Sequence, residues 1–159
     1  MGRTLVANRL LAGSACGKRQ RGRPLNAIVR QHQMASEAKS MARAWVAYWR
    51  QHESTGEFPD SEASEVVNDL AHDDPSEALA VILEILRSIE PDPETELFQV
   101  LAAGPVEDLL ANSGDAIIEN VEAEASRNEA FKLLLGGVWK NTMSQDIWER
   151  VERCRGGQW

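Results

Sequence analysis

Three glutamates in the second half of the chain are the residues whose type and spacing could support acid–base chemistry. Glu119 and Glu122 are spaced i, i+3 and are therefore neighbours on a helix, and Glu107 follows a Gly-Pro pair upstream. Grouped together, such carboxylates can transfer a proton or hold a divalent cation. A glutamate near a helix start can instead accept from free backbone N–H groups. We favour this structural interpretation. We therefore expect a protein without enzymatic activity, and we expect neither a metal site nor a cofactor.

The length, the hydrophobic content and the cysteine spacing of the chain exclude several classes of protein. The chain has 159 residues, of which 43% are hydrophobic, and this is enough to bury a core. No apolar run approaches the ~18 residues that a membrane helix needs, so we expect no membrane insertion. Cys16 and Cys154 lie far apart, without metal or redox spacing. A reducing compartment, and hence a cytoplasmic location, is the simpler expectation.

The net charge of -8 hides a strong polarity along the chain. Residues 1–34 carry seven basic residues and no acidic one, whereas residues 51–126 carry twenty acidic residues and a single basic one, Arg87. Such a middle segment repels phosphate and anionic lipid and attracts basic surfaces. The chain therefore resembles a protein-interaction module of immunity or adaptor type that binds a basic partner. The residues expected to contact that partner are acidic: Glu57, Asp60, Glu62, Glu65, Asp69, Asp73 and Asp74.

The basic segment 1–34 offers a different function. Its Lys18–Pro24 stretch resembles the Arg-Gly-Arg-Pro core of an AT-hook, in which Arg21 and Arg23 would enter a narrow A·T minor groove. DNA association through this segment is the alternative hypothesis. Since three glycines and a proline interrupt any helical period, we expect residues 1–34 to lack packed structure. Translation starting at Met34 is the competing explanation for the segment, and nucleic acid is a partner only if the segment is native.

From Ser36 onward the apolar residues recur at helical spacing, and no alternation long enough for a strand is present. Asp74-Pro75 and Asp92-Pro93 are typical of helix starts, and the apolar stripe from Ala78 to Ile89 is wide enough to predict a central helix. Gly104-Pro105 predicts a corner between two helices, and Ser144 predicts a cap for the last one.

Together these signals predict an all-α fold. We expect a compact array of about seven short helices, arranged as solenoid-like helical hairpins or as an orthogonal bundle. Residues 35–155 would form one domain, followed by a frayed tail at residues 156–159.

Five tryptophans accompany a single tyrosine in this chain. Trp45, Trp49, Trp139 and Trp148 stand at helical core spacing, so packing is the expected role of all four. Trp159 follows Gly-Gly-Gln and is expected to be exposed, either in a frayed end or as an anchor for a partner.

A longer pattern carries a resemblance to a known family. It consists of Ala102–Leu110, which reads AAGPVEDLL, and of Leu134–Trp139, which reads LLGGVW, with Gly114, Ile118, Glu122, Ala125 and Phe131 spaced between them. This pattern resembles a bacterial domain family of unknown function, number 6869, over residues 46–153. Val106 stands where that family has leucine. The resemblance implies a mostly helical bacterial domain and implies no activity or cofactor.

Overall fold

The computed structural model describes residues 25–59 and 62–159, and within them the chain is all-α, as predicted. No strand occurs in the described ranges. Within the described residues, seven α-helices pack around one contiguous apolar core. They are α1 (Leu25–Thr55), α2 (Ala63–Asp73), α3 (Pro75–Ser88), α4 (Glu96–Leu101), α5 (Glu107–Ala125), α6 (Glu129–Leu134) and α7 (Gln145–Cys154).

Helix α1 begins ten residues before the predicted domain start, at Leu25. Between Pro24 and Gly56 the sequence contains neither glycine nor proline, so nothing in it stops the helix from extending towards the N-terminus. Residues 29–37 are all exposed, and Ala38 is the first buried residue after them. Residues 29–37 are therefore helical without packing on the core. Residues 1–24, with Arg21 and Arg23, lie outside the described residues.

Helix α3 is the central helix, as its wide apolar stripe predicts. Asp74 caps it by accepting from the backbone N–H of Glu77 at 3.0 Å, and Pro75 occupies the first turn. Helices α1, α2 and α5 all contact α3. The buried side chains of α3 cover an arc of about 160° around the helix: Ala78, Leu79, Val81, Ile82, Ile85 and Leu86.

The helix starts at Asp92-Pro93 and Gly104-Pro105 differ from the prediction. Asp92 forms a turn, and α4 begins later, after Thr95. The predicted corner at Gly104-Pro105 is wrong: residues Ala102–Val106 form a π-helical turn that joins α4 to α5. Because proline lacks an N–H group, it breaks the regular hydrogen-bond ladder, and here the wider turn accommodates it without ending the helix.

The direction of the chain changes instead at Ser113, inside α5. Ser113 has non-helical dihedral angles (φ -133°, ψ 22°), and its hydroxyl donates to the carbonyl of Ala71 at the end of α2, at 2.6 Å. The next residue, Gly114, lies against α7. A Cβ atom at Gly114 would lie 2.9 Å from the Ile147 side chain, so glycine allows this close approach.

The C-terminal tail is packed, and the prediction of a frayed tail is wrong. The Trp159 indole N–H donates to the Leu133 carbonyl at 2.8 Å, and the ring stacks on Phe98 with centroids 5.5 Å apart. The ring also lies directly on Gly136 and Gly137, where a side chain would occupy its place. The Gly136-Gly137 pair thus forms the groove that receives Trp159.

Replacing a side chain at the centre of the core tests the role of α3. We expect Ile85→Ala to lower the free energy of unfolding by about 2–5 kcal/mol, because Ile85 is fully buried and its removal leaves a cavity. Urea denaturation followed by circular dichroism measures the change. Val29→Ala is the control, since the Val29 side chain is 63% exposed, and an equal loss in both variants would contradict a central α3.

A second substitution tests the groove under the tail. In Gly137→Ala the new Cβ would lie 2.3 Å from the Trp159 ring, so we expect a loss of about 1–3 kcal/mol and faster hydrogen exchange in residues 156–159. Gly157→Ala is the matched control on the same tail, because nothing lies within 4 Å of its added Cβ. Unchanged exchange in Gly137→Ala would contradict the docked tail.

Candidate functional site

One side of α2 carries four acidic residues, and we call it the acidic face: Glu62, Glu65, Asp69 and Asp73. Glu65, Asp69 and Asp73 follow at intervals of four residues, so successive members are only about 40° apart around the helix. The buried residues Val67 and Ala71 occupy the opposite side and attach α2 to the core. All four carboxylates are therefore exposed to solvent.

The other predicted partner-binding acids differ in their surroundings. Glu57 lies exposed in the loop before α2, and Asp60 falls outside the described residues. Asp74 is partly buried and occupied as the cap of α3, so its carboxylate is committed to the backbone. Five of the seven predicted acids are thus exposed in the part of the chain that the structure describes.

Four acidic residues elsewhere in the described chain form ion pairs, and the acidic face forms none. The ion pairs join Glu84 to Arg87 (2.6 Å), Glu122 to Arg150 (2.5 Å), Glu124 to Arg127, and Glu152 to Arg155 (3.2 Å). None of them involves α2 or Glu57. Among residues 25–59 and 62–159, no cation neutralises the acidic face, and its charge is available to a partner.

Glu107 has a structural position that the sequence only partly predicts. Because the helix continues through the π turn, Glu107 meets no free N–H groups of its own helix. Its buried carboxylate accepts instead from the backbone N–H of Trp139 (3.2 Å) and from Nδ2 of Asn141 (2.8 Å). Asn141 has a φ of 42°, a left-handed conformation that asparagine tolerates. Glu107 therefore holds the loop after α6 against the start of α5.

Asp108, next to Glu107, has an altered acidity. Burial raises the pKa of the Asp108 carboxyl, the negative charge of Glu107 raises it further, and His72 partly opposes the increase. A carboxyl with a raised pKa stabilises the fold below its ordinary pKa, and this contribution is lost as the pH rises through the folded-state value.

The three candidate catalytic glutamates do not share one environment. Glu122 pairs with Arg150 of α7, whose hydrogen bonds hold the pKa of Glu122 below its usual range. Glu119 is exposed, and its charge acts on the same arginine. Glu107 is separated from Glu122 by fifteen residues of α5, which is about 20 Å of helix. The structure thus brings Glu119 and Glu122 near one cation and places Glu107 elsewhere.

Metal binding and a reactive thiol are two further sources of chemistry to consider in the described residues. No group of three or more His, Cys, Asp or Glu side chains there could hold a metal ion. Burial raises the pKa of the Cys154 thiol, whose Sγ lies 3.5 Å from the Val151 carbonyl. A raised pKa lowers the thiolate fraction, so Cys154 is a poor nucleophile.

An aromatic cluster lies just before the acidic face in the sequence, and helical spacing predicts only the part of it that lies on α1. It consists of Tyr48, Trp49 and His52 of α1 with Phe58 of the following loop. Phe58 stacks on His52 with centroids 4.0 Å apart and an angle of 7°, and it is 64% exposed. Helical spacing predicts the three members on α1, but no periodic signal extends to Phe58, because it lies beyond the helix end.

Trp139 is a second exposed aromatic side chain, and the prediction that it packs in the core is wrong. It is 61% exposed, because Gly136-Gly137 ends the preceding helix and changes the direction of the chain before Trp139. The other three tryptophans expected to pack are buried or partly buried: Trp45, Trp49 and Trp148.

The fold and these sites define an all-helical protein with an unneutralised acidic face. By its sequence, the chain belongs to a family of unknown function, DUF6869, whose profile matches residues 50–159. This match confirms the resemblance found in the two motifs. No curated protein and no solved structure matches the chain. Within the described residues, no helix has both the length and the apolar character needed to cross a membrane.

Removing the Glu107 carboxylate tests the two hydrogen bonds that it accepts. We expect Glu107→Ala to lower the free energy of unfolding by about 1–3 kcal/mol, because the Trp139 N–H and the Asn141 amide lose their acceptor. Glu119→Ala removes an exposed glutamate from the same helix and should change stability by less than about 0.5 kcal/mol. Thermal unfolding of both variants provides the comparison, and equal melting temperatures would contradict the proposed bonds.

Proposed function

We propose that this chain is a protein-interaction module whose acidic face binds a basic partner protein, as an immunity or adaptor protein does. One observation carries the proposal: the carboxylates of Glu62, Glu65, Asp69 and Asp73 are exposed on one side of α2 and have no described basic neighbour. A bacterial cytoplasm is the setting that we propose for it.

The carboxylates of the acidic face repel one another. Like charges four residues apart on a helix destabilise it by a few tenths of a kcal/mol per pair, and α2 contains two such pairs. A basic surface would relieve this repulsion on binding. It would also approach faster, because unscreened opposite charges steer association at low ionic strength.

Apolar area beside the acidic face supports the same function. Val66, on α2, is 42% exposed, and Phe58, in the preceding loop, is 64% exposed. Protein interfaces combine a few apolar or aromatic anchors with a polar rim. The acids would then set the rate of association and the choice of partner, and the apolar side chains would add contact area.

The test compares two variants of equal net charge. In the first, the acidic face is neutralised by Glu62→Gln, Glu65→Gln, Asp69→Asn and Asp73→Asn. In the matched control, four exposed acids on other segments are neutralised by Glu90→Gln, Glu94→Gln, Asp115→Asn and Glu129→Gln. Labelled deca-lysine is the basic probe, and fluorescence anisotropy at low and high salt measures its dissociation constant.

We expect the first variant to bind the probe about tenfold or more weakly than the natural chain, since four charge pairs are lost. The control variant should bind nearly as the natural chain does, and added salt should weaken binding in both. Equal loss of affinity in the two variants would mean that only net charge matters, and it would contradict an interface on α2.

A further inference from the structure

We propose that the aromatic cluster Tyr48, Trp49, His52 and Phe58 is the anchor for an arginine side chain of the basic partner. The proposal rests on the proposed function and deepens it, because it names the side chain that the site would recognise. The acidic face attracts arginine and lysine side chains alike. Aromatic rings, in contrast, distinguish a planar guanidinium from an ammonium group.

The rings of the cluster form a layered arrangement with one open side. Phe58 lies nearly parallel to His52 (7°) and within 30° of Tyr48. Trp49 stands across them, at 79° to Tyr48, 85° to His52 and 86° to Phe58. Since His52 covers one side of the Phe58 ring and Phe58 is still 64% exposed, the other side of this ring faces solvent.

Charge around the cluster favours a cationic occupant. Glu53 and Glu57 are the sequence neighbours of His52 and Phe58, and both are exposed without an ion pair to a described residue. Arg50, the nearest arginine in the sequence, is about 160° around α1 from both Tyr48 and His52 and about 100° from Trp49. Two exposed carboxylates and an exposed ring within six residues of the sequence supply the two kinds of group that a guanidinium binds.

The described chain already contains one contact of this type. Arg155 lies over the ring of Trp148, with its Cζ 4.9 Å from the ring centroid, and pairs with Glu152 at 3.2 Å. Phe58 offers an exposed ring next to the exposed Glu57 in the sequence, and here the arginine would come from the partner. No lysine or arginine among the described residues lies over the Phe58 ring, which stacks on His52.

The experiment compares labelled deca-arginine with labelled deca-lysine, which carry equal charge, on the full chain at one ionic strength. We expect deca-arginine to bind about two- to fivefold more tightly than deca-lysine. Phe58→Ala and Phe58→Leu should each remove this preference while keeping deca-lysine affinity, and Phe58→Tyr should keep the preference. Phe58→Leu retains an apolar side chain, so its effect isolates the aromatic ring.

Trp139→Ala is the matched control, because it removes an equally exposed aromatic side chain while the backbone N–H that Glu107 accepts from remains. Its arginine preference should match that of the natural chain. Equal affinities of the natural chain for the two peptides, or a preference that survives in Phe58→Ala and Phe58→Leu, would overturn the proposed anchor.

The two proposals fail in different ways. If both peptides bind equally and neutralising the acidic face still weakens them, the anchor is wrong and the proposed function stands. If neutralising the acidic face changes neither affinity, the proposed function is wrong, whatever the arginine preference.

Two other occupants of the cluster would also be detected. Removing three positive charges by Arg19→Gln, Arg21→Gln and Arg23→Gln should tighten the binding of both peptides equally. A preference for deca-arginine that rises in this variant would show that the chain's own basic segment occupies the cluster, and it would overturn the proposal of an external arginine. A dimer in analytical ultracentrifugation of the peptide-free chain that Phe58→Ala converts to a monomer would assign the cluster to a second copy, with the same consequence.

Discussion

The burial of α3 is the constraint on which the rest of this structure depends. Its buried apolar side chains cover an arc of about 160°, wider than the stripe of a typical surface helix, so α3 is stable in water only when other helices cover that arc. Helices α1, α2 and α5 do so, and each contributes an apolar side to α3 and a charged side to solvent. Most acidic residues of the middle segment therefore lie on the outside, with Glu107 and Glu124 as buried exceptions, and α2, with only Val67 and Ala71 fully buried, exposes most of its charge.

The two motifs of the family meet at a single side chain. Glu107 belongs to the first motif, and the loop that it holds begins in the second motif at Trp139. Because the Glu107 carboxylate is only 9% exposed, its two hydrogen bonds replace the water that it loses on burial. This link joins two stretches that are far apart in the sequence and belong to the same pattern.

Much of the helical order could be predicted from local capping chemistry. Asp74, Asn128 and Ser144 all accept from backbone N–H groups three residues ahead, at the helix starts where their side chains predict caps. Predictions from the sequence were wrong where a contact between distant parts of the chain decides the conformation. Gly104-Pro105 continues a helix because a π turn absorbs the proline, and the last four residues are held by a groove of two glycines that are distant in sequence.

The candidate site was predictable to a similar extent. Helical spacing places Glu65, Asp69 and Asp73 on one side of α2, and the structure puts them there, exposed. Helical spacing predicts the three members of the aromatic cluster on α1 but not Phe58, since the stacking of Phe58 on His52 depends on the fold of a loop rather than on a period. The lack of cations around the acidic face is likewise a tertiary property, although the charge count of residues 51–126 already indicates an excess of acids.

The π-helical turn at Ala102–Val106 also constrains how the length of this chain can vary. A π turn holds one residue more than an α-helical turn, and each residue corresponds to about 100° of rotation. Deleting one residue there would restore a regular helix but would rotate everything upstream relative to α5 by about that angle. Either the apolar side of α4 or the Glu107 carboxylate would then leave its partners. Loss of a single residue is therefore tolerable in the connecting loops and disruptive in this turn.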